Sequence, residues 1–137
     1  MSEHNEKQSL TIEKGMTCTV ETQVDETMTA DRFASGALPV YGTPAMIGLM
    51  EHAACECLSK ALQPGQTSVG TEISIAHLAA TPVGATVKAT ATVTAVDRRK
   101  IVFDVSAYDN AGKIGEGKHA RFIVASEPFM AKAEHRV

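Results

Sequence analysis

The spacing of apolar and polar residues changes period twice along this chain. From Met16 to Val24 the residues are rich in Thr, Val and Cys and polarity alternates, which predicts a strand with one wet face. Asp25 to Pro39 has no clean period. Its Thr29, Asp31, Ser35, Gly36 and Pro39 predict a loop with one short helical turn. The spacing then becomes helical: Ile47, Met50, Ala54, Leu58 and Ala61 recur on one side. Thr43 is placed to cap the N-terminus, Pro44 to occupy the first helical position, and Pro64-Gly65 to stop the run. This predicts a helix over Pro44–Leu62. His52, Glu56, Ser59 and Lys60 form its polar face, Glu56 and Lys60 make an i,i+4 pair, and Gly48 is a point for close packing.

After the helix, period-two alternation returns and persists. In Thr67–Ala80, the residues Thr71, Ile73, Ile75, His77 and Ala79 share a face. Pro82-Val83-Gly84 is a turn. In Ala85–Asp97, Val87, Ala89, Ala91, Val93 and Ala95 oppose Lys88, Thr90, Thr92 and Thr94. Asp97–Lys100 is a charged hairpin connection, Ile101–Tyr108 alternates again, Asp109–Gly112 is a turn, and Ile114–Ala125 is the last strand. Residues 1–14 read as a loose N-terminal arm and 129–137 as a polar C-terminal tail, flanking a single domain over 1–137.

Strand, loop, one long helix, then four strands on short turns define an α+β class with an antiparallel sheet. One helix must cover the sheet's apolar face. A curved sheet wrapped around one long central helix is the hot-dog arrangement; a ferredoxin-like sheet needs a second helix that the pattern does not supply. An open sheet edge and a partly exposed helix are expected to be covered in a homodimer.

Composition removes several functions. With 137 residues, 44% hydrophobic and 21% charged, the chain is an ordinary globular domain. A net charge of −3 and a pI near 5.9 argue against nucleic acid as a partner. No apolar run reaches the ~18 residues that would cross a membrane, and the first fifteen residues lack the apolar stretch of a secretory leader. Cys18, Cys55 and Cys57 are then expected as reduced thiols in a cytoplasmic protein. With 4% aromatics and no Trp, an aromatic cage or base-stacking platform is not supported.

Three residues carry candidate chemistry. Glu51 falls on the apolar stripe of the helix, whereas Glu56 falls on the polar side; a buried carboxylate suits a base or nucleophile, while a border position would let it reach solvent. His77 shares its strand face with Ile73 and Ile75 and projects inward, as a proton-transfer group or as a core histidine bonded to backbone. His4, His52, His119 and His135 are expected at the surface or the termini. Thr43 is a cap by default, and at a helix N-terminus its hydroxyl could also help hold an oxyanion. Thr43 and Glu51 lie eight residues apart, roughly 12 Å along a helix, too far to bond each other. No Gly-x-Ser-x-Gly, Walker or Gly-x-Gly-x-x-Gly motif occurs. Cys55 and Cys57 diverge on a helix and make no metal or redox pair, and no third or fourth ligand joins Glu51, His52 and His77, so no metal is expected. Arg98-Arg99-Lys100 is a solvated hairpin tip or a contact for a nucleotide phosphate.

The blocks Gly42–Ala54, Leu62–Gly65, Ser68–Thr71 and His77–Gly84 resemble the hot-dog acyl-CoA thioesterases of the fluoroacetyl-CoA thioesterase type, over about Met16 to Met130. Thr-x7-Glu followed by His-x3-Thr-Pro-x-Gly is the most specific part. The resemblance implies a cytoplasmic homodimer acting on acyl-CoA, without a metal or cofactor, with catalysis on Thr43, Glu51 and His77. It places Gly70 beside the acyl thioester and Arg121 in the last strand as a binding residue. The segment Arg32–Pro39, with Phe33 and Leu38, falls where the fluoroacetyl-specific enzyme carries an aromatic lid. Here it holds one Phe and small residues around Ala37, which points to a thioesterase for short or medium acyl chains generally. The rival readings are a hot-dog enoyl-CoA hydratase, an acyl-CoA-binding or sensing domain without turnover, and a purely structural dimer module.

Overall fold

The computed structural model describes residues 12–137, so His4 and most of the predicted N-terminal arm lie outside the described residues. The elements run β1 (Thr17–Gln23), two 3-10 turns (Glu26–Met28 and Ala30–Phe33), α1 (Thr43–Ser59), β2 (Gln66–His77), β3 (Thr86–Asp97), β4 (Lys100–Asp109), β5 (Gly112–Ala125) and α2 (Ser126–Glu134). The strands form one antiparallel sheet in the order β1-β3-β4-β5-β2. This is the α+β, hot-dog arrangement that the element order predicts, with β1 and β2 at the edges.

The core forms where the two periodicities meet. Val87, Ala89, Ala91 and Val93 of β3 and Ile101, Phe103, Val105 and Ala107 of β4 are buried, while Lys88 and Asp104 face out. Against this face α1 buries Met46, Met50, Ala53, Ala54, Cys57 and Leu58. The alanines of β3 let the helix sit close, and the Cys57 thiol reaches the Ala91 carbonyl at 3.4 Å. The predicted stripe is rotated slightly. Ile47 and Glu51, one turn apart, lie on its flank and are only half-buried.

Several local expectations are corrected. Gly42, in extended conformation, is the N-cap, without a side-chain capping bond. Thr43 is therefore the first helical residue and not the cap. A Cβ on Gly42 would stand 3.1 Å from the backbone of Ala30, so this position has no room for a capping side chain. α1 ends at Ser59, before the predicted Leu62, because the Ala61 amide turns back to the Leu58 carbonyl in a tighter, three-residue loop. Glu56 meets His52 at 3.7 Å across the exposed face, where a Glu56–Lys60 pair was expected. Gly48 faces open space and makes no close packing contact. A bulge between Val93 and Ala95 ends the buried alternation of β3, leaving Ala95 and Val96 exposed. The expected polar tail forms α2, a short helix with no buried residue. Pro128 fits within its first turn, where an amide has no intrahelical acceptor to lose.

Ala91 is fully buried beneath α1. Ala91→Leu is expected to destabilise the fold by about 1–3 kcal/mol through overpacking, measured by urea denaturation. An unchanged midpoint would contradict close helix–sheet packing at this site.

Candidate active site

The site begins with an irregularity in β2. Ile73, Ile75 and His77 alternate inward as predicted, but a bulge between Gly70 and Glu72 leaves Thr71 out of register with β5, its hydroxyl donating to the Ala120 carbonyl at 3.2 Å. Beyond the bulge the inner face passes to Gly70 and Ser68, so Thr71 departs from the expected face. Opposite Gly70 in register stands Arg121, and opposite Ile73 stands His119. Both β5 side chains turn inward and are buried.

Gly70 leaves a gap that other groups fill. A Cβ there would lie 2.5 Å from the Glu51 carboxylate, 3.2 Å from Arg121 Nη1 and 3.2 Å from His119 Cε1. Glu51 Oε2 is 3.5 Å from Arg121 Nη1 and 3.9 Å from His119 Nε2. The guanidinium is anchored elsewhere as well: Nε donates to the Ser68 hydroxyl at 2.9 Å and Nη2 to the Ser68 carbonyl at 3.0 Å. Glu51, Gly70, Thr71, Glu72, Ile73 and His119 line a recess of about 230 Å³. Of the two positions left open for Glu51, the structure takes the border one: in the single chain 41% of its side chain faces solvent. The flank position on α1 explains this, and the carboxylate is held by an adjacent cation in place of desolvation.

A second group lies at the N-terminal end of α1. Thr43 Oγ1 is 2.7 Å from His77 Nδ1. This hydroxyl–imidazole pair has the geometry of an alcohol beside its base. Gly115 lies opposite His77 in register, and a Cβ there would collide with Met46, so the glycine lets the first turn of α1 approach β2 and β5. His77 Nε2 is buried and has no hydrogen-bond partner among the described residues. Burial lowers the pKa of His77 below the ordinary 6.5, against an opposing contact with the Ala79 backbone.

The predicted residues are thus sorted into two groups: Glu51, Gly70 and Arg121 meet, and Thr43 meets His77. Phe33 and Leu38 join neither group in the single chain. They are 45% and 66% exposed, and neither lines the recess. His119, expected at the surface, is instead 2% exposed. The signal was present in the strand alternation, because His119 has the parity of Arg121 and Ile123 on β5. Burial, chiefly, holds the His119 pKa below 6.5, assisted by Arg121 and opposed by the Glu72 carbonyl and Glu51.

These features define a hot-dog domain with a carboxylate–arginine site at the open edge of its sheet. Residues 24–127 match the family described as fluoroacetyl-CoA-specific thioesterase. The fluoroacetyl-CoA thioesterase of Streptantibioticus cattleyicolor is 41% identical over 97 residues, covering 71% of this chain and 70% of that protein. Among solved structures, a mutant of the fluoroacetyl-CoA-specific thioesterase FlK superposes with a TM-score of 0.88 at 34% identity, covering 93% of this chain and 98% of that one. A Thermus thermophilus hypothetical protein, a thioesterase superfamily member, superposes with a TM-score of 0.83 at 27% identity, covering 92% and 96%. The chain belongs to the fluoroacetyl-CoA-specific thioesterase family.

Gly70→Ala is expected to displace the Glu51 carboxylate and lower activity at least tenfold, about 1.4 kcal/mol in the barrier, with little change in stability at this exposed edge position. Activity equal to wild type would show that the close approach is unimportant. Both inward histidines have folded pKa values below 6.5. Below that pH the unfolded chain therefore binds more protons than the folded one, and stability present at neutral pH declines as pH falls. Urea midpoints from neutral to mildly acidic pH check this; the decline should be shallower in His77→Gln.

Proposed function

We propose that this protein hydrolyses short- or medium-chain acyl-CoA thioesters to the free acid and CoA, with Glu51 supplying the electron pair. The observation that carries this reading is the Glu51 carboxylate beside Arg121 in the gap left by Gly70, in a chain of a thioesterase family. The absent side chain at Gly70 lets a flat thioester lie against the β2 backbone next to the carboxylate. Glu51 attacks the carbonyl carbon, or takes a proton from a water that does so; either route expels the CoA thiolate as the C–S bond breaks. In the first route water then hydrolyses the acyl–Glu51 anhydride. Seven residues of β2 separate His77 from Gly70, roughly 20 Å of strand, so it is the Thr43–His77 pair of the second copy in the dimer described below that is suited to deliver a proton to the departing sulfur and to orient the acyl group. The Gly70 backbone supports the oxyanion.

The working unit is a homodimer joined along β2. That strand is an edge of the sheet, with one side of its backbone unpaired. Glu51 lies half-open beside it, and His77 Nε2 lacks a partner. A second copy pairing there extends the sheet and encloses the recess. Within this assembly Phe33 and Leu38, exposed ahead of Thr43, supply apolar cover for the acyl group. One Phe and small neighbours make a loose cover, so acyl groups other than fluoroacetyl are accepted. The three free cysteines fit a reducing, cytoplasmic compartment, and no described helix is long and apolar enough to cross a membrane.

Glu51→Ala is expected to abolish thiol release from acetyl- to hexanoyl-CoA while leaving the circular dichroism spectrum intact; unchanged turnover refutes the assignment. Wild type should turn over fluoroacetyl- and acetyl-CoA at comparable rates, whereas a strong preference for the fluorinated acyl group would show a selective lid. Hydration of crotonyl-CoA without thiol release would favour the hydratase reading, and saturable acyl-CoA binding without any turnover the sensing one.

A further inference from the structure

A buried imidazole beside a guanidinium is costly unless its hydrogen bonds are satisfied, and those of His119 are. Its Nδ1 lies 2.8 Å from the Glu72 carbonyl. A carbonyl only accepts, so Nδ1 carries the hydrogen. In the neutral ring Nε2 is then a bare lone pair. Arg121 Nη1, which can only donate, stands 3.2 Å from it. The two bonds together fix both tautomer and charge, since a protonated ring would turn an N–H toward an N–H. The ring is also packed against Phe103, 6.1 Å between centroids and 28° between planes.

We propose that His119 is a positioning residue for thioester hydrolysis: as a neutral hydrogen-bond acceptor it fixes the Nη1 edge of Arg121 so that this edge meets the Glu51 carboxylate. This rests on the thioesterase reading of the site. Ser68 holds the guanidinium at Nε and Nη2, on the side away from the carboxylate. Nη1 carries two hydrogens, one directed to His119 and one toward Glu51 at 3.5 Å. Removing the acceptor leaves a buried donor unsatisfied and lets the planar guanidinium tilt about its two Ser68 bonds, which loosens the only cation next to the carboxylate among the described residues. The charged groups that face His119 are Arg121 on its own strand and Glu51 on α1. β2 meets it through the Glu72 carbonyl, and β4 through the uncharged Phe103.

The test compares His119→Gln, His119→Asn and His119→Phe in the full chain, by thiol release from acetyl-CoA across mildly acidic to neutral pH. Gln places an acceptor near the position of Nε2; Asn reaches the Glu72 carbonyl but not Arg121; Phe makes neither bond. The Gln variant is expected to keep kcat within about threefold of wild type, while Asn and Phe lose about tenfold or more, the worth of one hydrogen bond to a charged group, with KM little changed. The acid limb of kcat should also move to lower pH in the Gln variant, which has no imidazole beside Arg121 to protonate. If all three keep the wild-type kcat and pH profile and differ only in stability, His119 is core filling and the proposal is overturned; equal damage in Gln and Phe overturns it too. Should Phe fail to fold, the Gln–Asn contrast decides. A second readout does not depend on activity: the nitrogen NMR signals of the Arg121 guanidinium should show slower rotation about the Cζ–Nε bond in wild type and Gln than in Asn. Should wild type release no thiol from any acyl-CoA, the thioesterase reading falls, and faster rotation in Asn than in wild type still supports the Arg121–His119 bond, while equal rotation in the two refutes it.

Discussion

The pairing of Glu51 with Arg121, over a strand position that has no side chain, is the interaction on which the rest of this site depends. A carboxylate half-open to water gains little from a cation unless the cation is held still. Here the cation is buried and bonded to Ser68 and His119 at three points. The carboxylate comes within reach of it because Gly70 has no Cβ, which would stand 2.5 Å from the Glu51 carboxylate. The bulge at Thr71 then places Gly70, and not a larger residue, on the inner face of β2. Each element is modest alone. Together they aim a negatively charged oxygen at a flat patch of backbone, the geometry that a thioester carbonyl can occupy.

Small residues let the fold bring these groups together. Ala89 and Ala91 under the middle of α1, and Gly115 under its start, allow the helix to lie close on the sheet. Close packing brings Thr43 within 2.7 Å of His77 at one end and Glu51 within 3.5 Å of Arg121 about two turns further along. A single chain thus holds a proton-handling pair and an anionic centre on one helix but leaves both beside an unpaired sheet edge. That edge explains why a polar recess, and not a closed cavity, surrounds Glu51.

Much of this was legible in the residues because the signals were periodic. The long helix and the alternation of β3 and β4 gave the sheet, its order of elements and the inward direction of His77. What escaped was set by events that interrupt a period. The bulge at Thr71 and the one after Val93 each insert a residue, and no pattern of residue types announces them. Thr43 looked like a cap because cap and first-turn preferences overlap; the tight approach of Ala30 to Gly42 decides the matter, and it is a tertiary contact. For Glu51 the residues left burial and a border position both open, because a stripe drawn from five apolar residues has a soft border. His119 was overlooked although its parity matches Arg121, since a lone histidine between Lys118 and Ala120 gives no local reason for burial. The short C-terminal helix buries no residue, so no stripe of core positions marked it in advance.

The claim that remains central is spatial: the acyl carbonyl sits against Gly70 within reach of Glu51. A crystal structure with a CoA analogue in which the thioester sulfur is replaced by a methylene group tests it most directly. The account predicts the carbonyl carbon about 3–3.5 Å from a Glu51 carboxylate oxygen, as a near-attack arrangement requires, with the acyl group lying over the Gly70 backbone. An analogue bound with its carbonyl away from both residues, and Glu51 still turned to solvent, would contradict it.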